Sequence, residues 1–524
     1  MNAMQPQYRR PGKLWYVSDG LIWDDRDADG RPDRARPLEC SSKLLLFNPQ
    51  PRKTAAVTVR FFHVDRDPTA HSLRVAAGSI ESIELASLPH VPHRQAFWIV
   101  VESDVPILPQ ARHEDCTFWQ HVPDALGCVP PYPGPLRDET HWLLPDCFQG
   151  GTKSWHEQEI LTILNPRGRA VDLVLTYRLR GRTPTAQEKI TIQPHRVASL
   201  KMWQRYNQID GQKNTASLRL EGDYSIEIEA TGPVIPQITR RARWRDFPSI
   251  VGSRNVMGVP LTPGSERMQG DGFRLWYYPG GLIVDRGILP RGKNYDVTWV
   301  LLFTHNLHAR KSANAQLTFH GADGSTTQGQ PIKVAPRDAD LQWLHMKPCL
   351  GTHTRIGEPF ALTVEADQPV LPAVTNAEFE MFSQMCPGAM AAVNPYPGPL
   401  TREKTWWLGI TPAGGADDHE AQWQQTYHLF NPGDKPADVT LWFLGLSDRR
   451  SAPTHTLTVP PRAVACVSSD DLSFLPVHRE FAVRVDADQP ICAQTTIRTF
   501  TRGLAPTRAM CARIGLPMTL APAE

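Results

Sequence analysis

The six residues Pro131-Tyr-Pro-Gly-Pro-Leu136 return unchanged as Pro395-Tyr-Pro-Gly-Pro-Leu400. Each copy leads, at the same distance, to a tryptophan, Trp142 and Trp406. Upstream, Leu14-Trp-Tyr-Val-Ser-Asp-Gly-Leu-Ile-Trp-Asp24 recurs as Leu275-Trp-Tyr-Tyr-Pro-Gly-Gly-Leu-Ile-Val-Asp285. Identities of this length at matching positions mark an internal duplication. The chain is two homologous halves.

Each half divides again. An apolar segment ending in Asn-Pro occurs at Leu46-Phe-Asn-Pro49, Ile163-Leu-Asn-Pro166 and Leu429-Phe-Asn-Pro432, with a degraded copy at Asn306-Leu307. Roughly 60 residues later each segment meets an acidic phrase closed by proline. The four versions end at Pro106, Pro233, Pro369 and Pro490. Four tandem units follow, over residues 1–128, 129–260, 261–392 and 393–524. Within a unit the hydrophobic period is two, as in Val57, Val59 and Phe61 or Val439, Leu441 and Phe443. That alternation is the mark of antiparallel sheets with one buried and one wet face. No long amphipathic helix is present. The sequence therefore predicts an all-β chain of four antiparallel, jelly-roll-like β-sandwich units, with the Pro-Tyr-Pro-Gly-Pro stretches as stiff linkers.

Composition agrees. Of 524 residues 48 are proline, more than the usual ~5%, which suits many short connections between edge-protected strands. Lys+Arg number 56 against 54 Asp+Glu, for a net charge of +2. So even a balance argues against a dedicated nucleic-acid binder. No stretch approaches the ~18 apolar residues of a membrane span, and the first residues show no apolar run of a secretory signal. Nine cysteines without a Cys-x-x-Cys pair argue against a disulfide framework or zinc site and for a reducing, cytoplasmic compartment.

The order of these phrases resembles the sensory rhodopsin transducer family. Its pattern runs Asn-Pro, alternating strand, Pro-x-Arg turn, Asp-x-Pro and Gln-x-x-Arg, after an opening Trp followed by an acidic residue and Gly. Unit four carries it as Phe430-Asn-Pro-Gly433, Val459-Pro-Pro-Arg462, Asp488-Gln-Pro490 and Gln494 with Arg498. Unit one has Trp15, Asp19-Gly20 and Gln110-Ala-Arg112, and unit two has Gln237-Ile-Thr-Arg240. Unit three ends in Thr375-Asn376. The resemblance implies soluble β-sandwiches of one unit's length that assemble as tetramers, with a fold similar to jelly-roll carbohydrate-binding modules. Four fused units would then build inside one chain what such relatives build from four.

Four groups of residues are candidates for a site. The opening strands bring aromatic rings next to carboxylates: Trp15, Tyr16, Asp19, Trp23 and Asp24, matched by Trp276, Tyr277 and Asp285. A sugar stacks its apolar face on such rings while its hydroxyls bond the acids; the alternative is that the rings fill the sandwich core. The strand ends after the proline phrases carry Gln110, Arg112, His113, Glu114 and Asp115, then Arg240, then Glu378 and Glu380, then Gln494 and Arg498. Planar amides and guanidiniums bond vicinal hydroxyls or carboxylates bidentately, or they form ion pairs between units. Trp142 with His141 and Glu139, echoed by Trp406 and Trp407 with Glu403, form a third group, where two facing carboxylates would permit glycoside hydrolysis. Asp25, Asp27, Asp29 and Asp33 have calcium-loop spacing, with Arg36 in place of the closing Glu. A solvated acidic loop is the other reading, and no other cofactor is implied.

These residues favour a glycan-recognition or ligand-sensing protein with aromatic and Arg-lined sites between units, as a monomer or small homo-oligomer. A glycoside hydrolase or polysaccharide lyase using Asp19, Asp24, Glu114, Asp115, Asp285, Glu378 or Glu380 is the rival. A signalling scaffold is the third reading.

Overall fold

The computed structural model describes residues 12–21, 39–92, 95–116, 125–129, 131–149, 155–181, 186–202, 222–244, 250–261, 273–284, 298–379, 387–412, 421–446, 452–476, 479–501 and 507–517. Unit one contains nine strands: β1 Leu14–Leu21, β2 Glu39–Phe47, β3 Ala55–Phe62, β4 Thr69–Val75, β5 Ile80–Glu84, β6 Ala96–Ser103, β7 Leu108–Cys116, β8 Ala125–Val129 and β9 Tyr132–Pro133. They form two antiparallel sheets, ordered β4-β3-β6-β1-β9 and β5-β2-β7-β8. The same pair of sheets recurs three times, giving eight sheets. Unit three alone splits its β4 counterpart into Thr326–Gln328 and Ile332–Val334. The chain is all-β, a tandem of four sandwiches. Among the described residues no helix is long and apolar enough to cross a membrane.

The Pro-Tyr-Pro stretches are not linkers. Tyr132 and Pro133 pair with Tyr16 and Trp15, and Tyr396 and Pro397 with Tyr277 and Trp276. Proline is tolerated there because the stretch is an edge strand with one side unpaired. The closing strands of units one and three thus lie beyond residues 128 and 392.

The Asn-Pro phrase is a turn staple, and it survives in unit three without its proline. The Asn431 amide nitrogen donates to the carbonyls of Lys435, Val459 and Pro460 at 2.7–3.1 Å, and its oxygen accepts from Gly433 N at 3.0 Å. Asn306 does the same toward Lys311, Val334, Ala335 and His308 N. Asn48 and Asn165 follow suit. Because these groups are buried, Asn431→Ala should cost about 2–4 kcal/mol, read as a lower denaturant midpoint. A shift under ~0.5 kcal/mol would show that water replaces the staple.

The inner strands of each four-stranded sheet are buried on both faces, which explains near-continuous apolar runs such as Leu44-Leu-Leu-Phe47. One face packs on the unit's own five-stranded sheet. The other packs on the five-stranded sheet of the preceding unit. The core of unit two takes in Tyr16, Phe62 and Trp98 of unit one; that of unit three takes in Leu143 of unit two; that of unit four takes in Tyr277 of unit three. The core of unit one takes in Trp407, Ile410 and Ala482 of unit four. The four sandwiches therefore close into a ring inside one chain. At its centre β8 and its counterparts Ile250–Met257, Pro387–Val393 and Thr507–Ile514 pack on one another in cyclic order. Small residues such as Gly127, Ala389, Ala391 and Ala509 allow these backbones to approach.

Candidate functional site

Alternation along the opening strand decides the fate of the aromatic candidates. Trp15, Trp142, Trp276 and Trp406 face their own cores, at 2%, 0%, 2% and 0% exposure. Each indole N–H donates to a backbone carbonyl, such as Ile107 O for Trp15 at 2.9 Å and Glu403 O for Trp406 at 3.1 Å. The next residue, Tyr16, Tyr277 or Trp407, points the other way and plugs the neighbouring unit. These rings are core and seam residues, and they form no exposed sugar-stacking platform. Trp23, Asp24 and Asp285 lie outside the described residues, as do Glu380 and the acidic loop holding Asp25, Asp27, Asp29 and Asp33.

The polar strand ends are buried in the seams. Arg112 Nε lies 2.5 Å from Glu114, and its Nη2 donates across the unit one–four seam to Glu480 at 2.9 Å. Arg241 donates across the unit one–two seam to His113 Nε2 at 2.8 Å. Arg240 pairs with Glu157, lies 3.8 Å from Asp146, and stacks 4.6 Å over the Phe148 ring. Arg498 Nε donates to Glu378 at 3.3 Å across the unit three–four seam. Of the rival enzyme's candidates, Glu114 and Glu378 thus sit in separate seams, each on an arginine. Asp19 and Asp115 are strand residues whose side chains lie outside the description. Glu139 and Glu403 are turn residues: Glu403 Oε2 accepts from Thr401 N at 2.7 Å and Arg402 N at 2.9 Å, and Glu139 binds the equivalent amides.

Two further clusters bring residues singled out in the sequence, His141, Gln110 and Trp407, together with ones that were not, Glu227, Glu229 and Arg513. His141, Glu227 and Glu229 place their ligand atoms within 4.8 Å of one another, close enough to hold a metal ion. Glu227, however, is already engaged, by a hydrogen bond with His141 at 2.8 Å and by two guanidiniums, Arg337 at 2.9 Å and Arg178. Burial pushes its carboxyl up, but His141, Arg178 and Arg337 outweigh it and hold the group at about 2. The donor set fits a structural ion network better than a divalent cation.

The second cluster lies in the seam between units one and four. A small cavity there, open at its mouth, is lined by Gln110 and Pro131 of unit one and by Trp407, Gly409, Ile410 and Arg513 of unit four, among others. Arg513 is 4% exposed, and its Nε and Nη2 have no hydrogen-bond partner. Gln110 Oε1 accepts from Ile410 N at 2.6 Å, leaving its own NH₂ unpaired, and the Trp407 indole N–H is unpaired too. Buried donors in proteins nearly always have acceptors. Three side chains with unpaired donors, around one cavity, mark a place where acceptors are to be supplied. The signal was readable in register. Arg513 pairs opposite Thr495, where Val129, Val256 and Val393 stand opposite Ala111, Ile238 and Val374 in the other units.

The fold and seams define a class: a tandem ring of four β-sandwiches with a largely apolar cavity, holding a buried arginine, at the closing seam. Residues 12–122, within the first unit, match the family model described as ASRT, Anabaena sensory rhodopsin transducer. Two solved structures are each similar to about one unit. The crystal structure of Thermotoga maritima 1070 is 20% identical, over 24% of this chain and 95% of its own, with a TM-score of 0.19. The Anabaena sensory rhodopsin transducer is 20% identical, over 20% of this chain and 89% of its own, with a TM-score of 0.16. No curated protein sequence matches the chain.

Proposed function

We propose that this protein is a ligand-recognition or ligand-sensing protein whose site is the cavity between units one and four. The observation that supports it is the set of unpaired buried donors on Arg513, Gln110 and Trp407 around that cavity. Seams are natural places for such sites, since ligands lodge where packed elements meet. An acidic carbohydrate is a ligand of suitable charge. A hydrolase or lyase has less support, because the described candidate acids are paired with arginines in separate seams and not with each other. The transducer named for the family relative suggests a signalling readout, in which ligand binding alters the ring presented to a partner protein. Among the described residues, Cys128, Cys147, Cys349, Cys466, Cys492 and Cys511 are free thiols, which accords with a reducing, cytoplasmic location.

The test is a thermal-shift screen of the purified chain against neutral sugars, sugar acids and small carboxylic acids, with product analysis of each mixture. Recognition predicts that at least one class raises the melting temperature without turnover. Product release abolished by a single Asp or Glu substitution would overturn the proposal in favour of the enzyme.

A further inference from the structure

We infer that the seam cavity is a receptor for a small monocarboxylate with a short apolar tail, anchored by the Arg513 guanidinium. This rests on the recognition reading above and narrows its ligand. The first argument is charge. A guanidinium buried where three units carry valine is costly unless an anion meets it. The groups facing it that can lose a proton are Cys128, Cys511 and Tyr427. Burial pushes Cys511 and Tyr427 up, so both stay neutral. Cys128 is engaged with Cys511 by a hydrogen bond, which lowers its thiol together with Arg513 and Arg112.

The second argument is the donor inventory. Arg513 Nε and Nη2, Gln110 Nε2 and Trp407 Nε1 are all donors. A carboxylate brings two acceptor oxygens and the missing charge in the planar geometry a guanidinium fork matches. A hydroxyl-rich neutral sugar would instead add donors and bury them against apolar walls, which include Leu108, Pro109, Ile410 and Leu516.

The third argument is that unit four departs from the repeat twice at one contact. The opening strand's register shift falls after Val17, Leu144 and Tyr278 in the other units but one residue earlier in unit four, skipping Leu408 and placing Gly409 opposite Val483. Gly409 has φ +93°, and a Cβ there would overlap the Arg513 guanidinium. The glycine makes the space that the arginine occupies. The two linked departures meet at one contact and set that seam apart from the other three.

The experiment is titration calorimetry on the full chain with acetate, butyrate and benzoate, against acetamide, butyramide and benzamide, with chloride as a control. The inference expects at least one acid to bind at least about tenfold more tightly than its amide, through the charge-assisted bonds. Arg513→Val, the repeat's own residue, should fold and lose that binding. Should Arg513→Val not fold, Arg513→Lys is expected to weaken binding about tenfold, because it keeps the charge without the fork. Equal binding of acids and amides, chloride binding as tightly as the acids, or unchanged acid binding in either variant would overturn the inference. Unchanged binding in Arg513→Val would make the Cys128 thiolate the counterion. A sugar that binds wild type and Arg513→Val alike would leave the recognition reading standing and sink this one. A wild-type chain that binds none of these probes, nor any ligand of the thermal-shift screen, fails both.

Discussion

Between pH 7.5 and pH 4.5 the folded ring should lose several kcal/mol of stability, up to about 10, with the loss beginning near pH 6.5. Burial lowers five histidines: His63, His305, His320 and His345 to about 4, and His428 to about 3. Each is held neutral by its surroundings. His345 Nδ1 accepts from Val300 N at 3.0 Å, His428 lies between Cys466 and Thr496, and His320 meets Thr363 at 2.8 Å. Nearby cations deepen the effect, namely Arg66 and Arg196 at His63 and Arg498 at His428. At His305, Asp146 and Asp338 oppose it without overcoming burial. The sign follows from linkage. With folded values below the unfolded ~6.5, the unfolded chain binds more protons in acid, so the stability is present above ~6.5 and falls as pH drops toward 4. Each group contributes at most about 1.4 kcal/mol per pH unit over that window. His320 packs 4.7 Å from Phe430 across the unit three–four seam, so that seam should loosen early. Glu227, held at about 2, weakens only below ~4.5 and sharpens the final collapse. Denaturant midpoints at pH 7.5, 6.5, 5.5 and 4.5 test this directly. A flat profile down to pH 5 would mean that the imidazoles gain protons without disturbing the fold.

The repeat and the sandwich were legible because both are periodic. Pro131–Leu136 returns whole, and Val57, Val59 and Phe61 alternate as a half-buried strand must. What period two cannot tell is which second surface a strand meets. Trp15 and Tyr16 read alike as exposed ring candidates, yet one lies in its own core and the other in the next unit's core. The same limit applies to Arg112, Arg240 and Arg498. They read as ligand-binding guanidiniums, and the ring turns them into seam ion pairs, because the partner carboxylate comes from far along the chain, as Glu480 does for Arg112. The Pro-Tyr-Pro stretch read as a linker because proline usually ends a strand, and an edge position removes that objection. Arg513 escaped notice because unit-by-unit register is visible only once the last long strands are paired with their neighbours.

Two adjacent substitutions should separate a unit's stability from the ring's closure. Trp406→Ala and Trp407→Ala each remove a buried indole and should each cost about 3–5 kcal/mol. Trp406 lies in the core of unit four, so its loss should loosen that sandwich and expose its strands to hydrogen exchange. Trp407 instead lies in the core of unit one, 5.4 Å from Phe47, at the one seam whose two units are not consecutive in the chain. Its loss should open the ring there while the sandwich of unit four persists, held by Tyr427, Phe443 and Phe481. The two effects have different chemical readouts. Cys128 and Cys511 are buried against each other between units one and four, and they share a small apolar cluster with Trp423 and Ile497. Opening the seam lays both thiols bare, because strands from different units no longer cover them. Peptide-resolved alkylation under native conditions should therefore rise at Cys128 and Cys511 in Trp407→Ala by about two orders of magnitude, the ratio of ~3 kcal/mol in the closing equilibrium. In the same sample Cys492, inside the core of unit four, should stay protected. Trp406→Ala should reverse the order, with Cys492 reacting first. If Trp407→Ala left Cys128 and Cys511 as protected as in the wild type, the closing seam would not depend on that indole. Closure would then rest on the Arg112–Glu480 pair and the central strands, and Glu480→Gln would become the substitution that opens the ring.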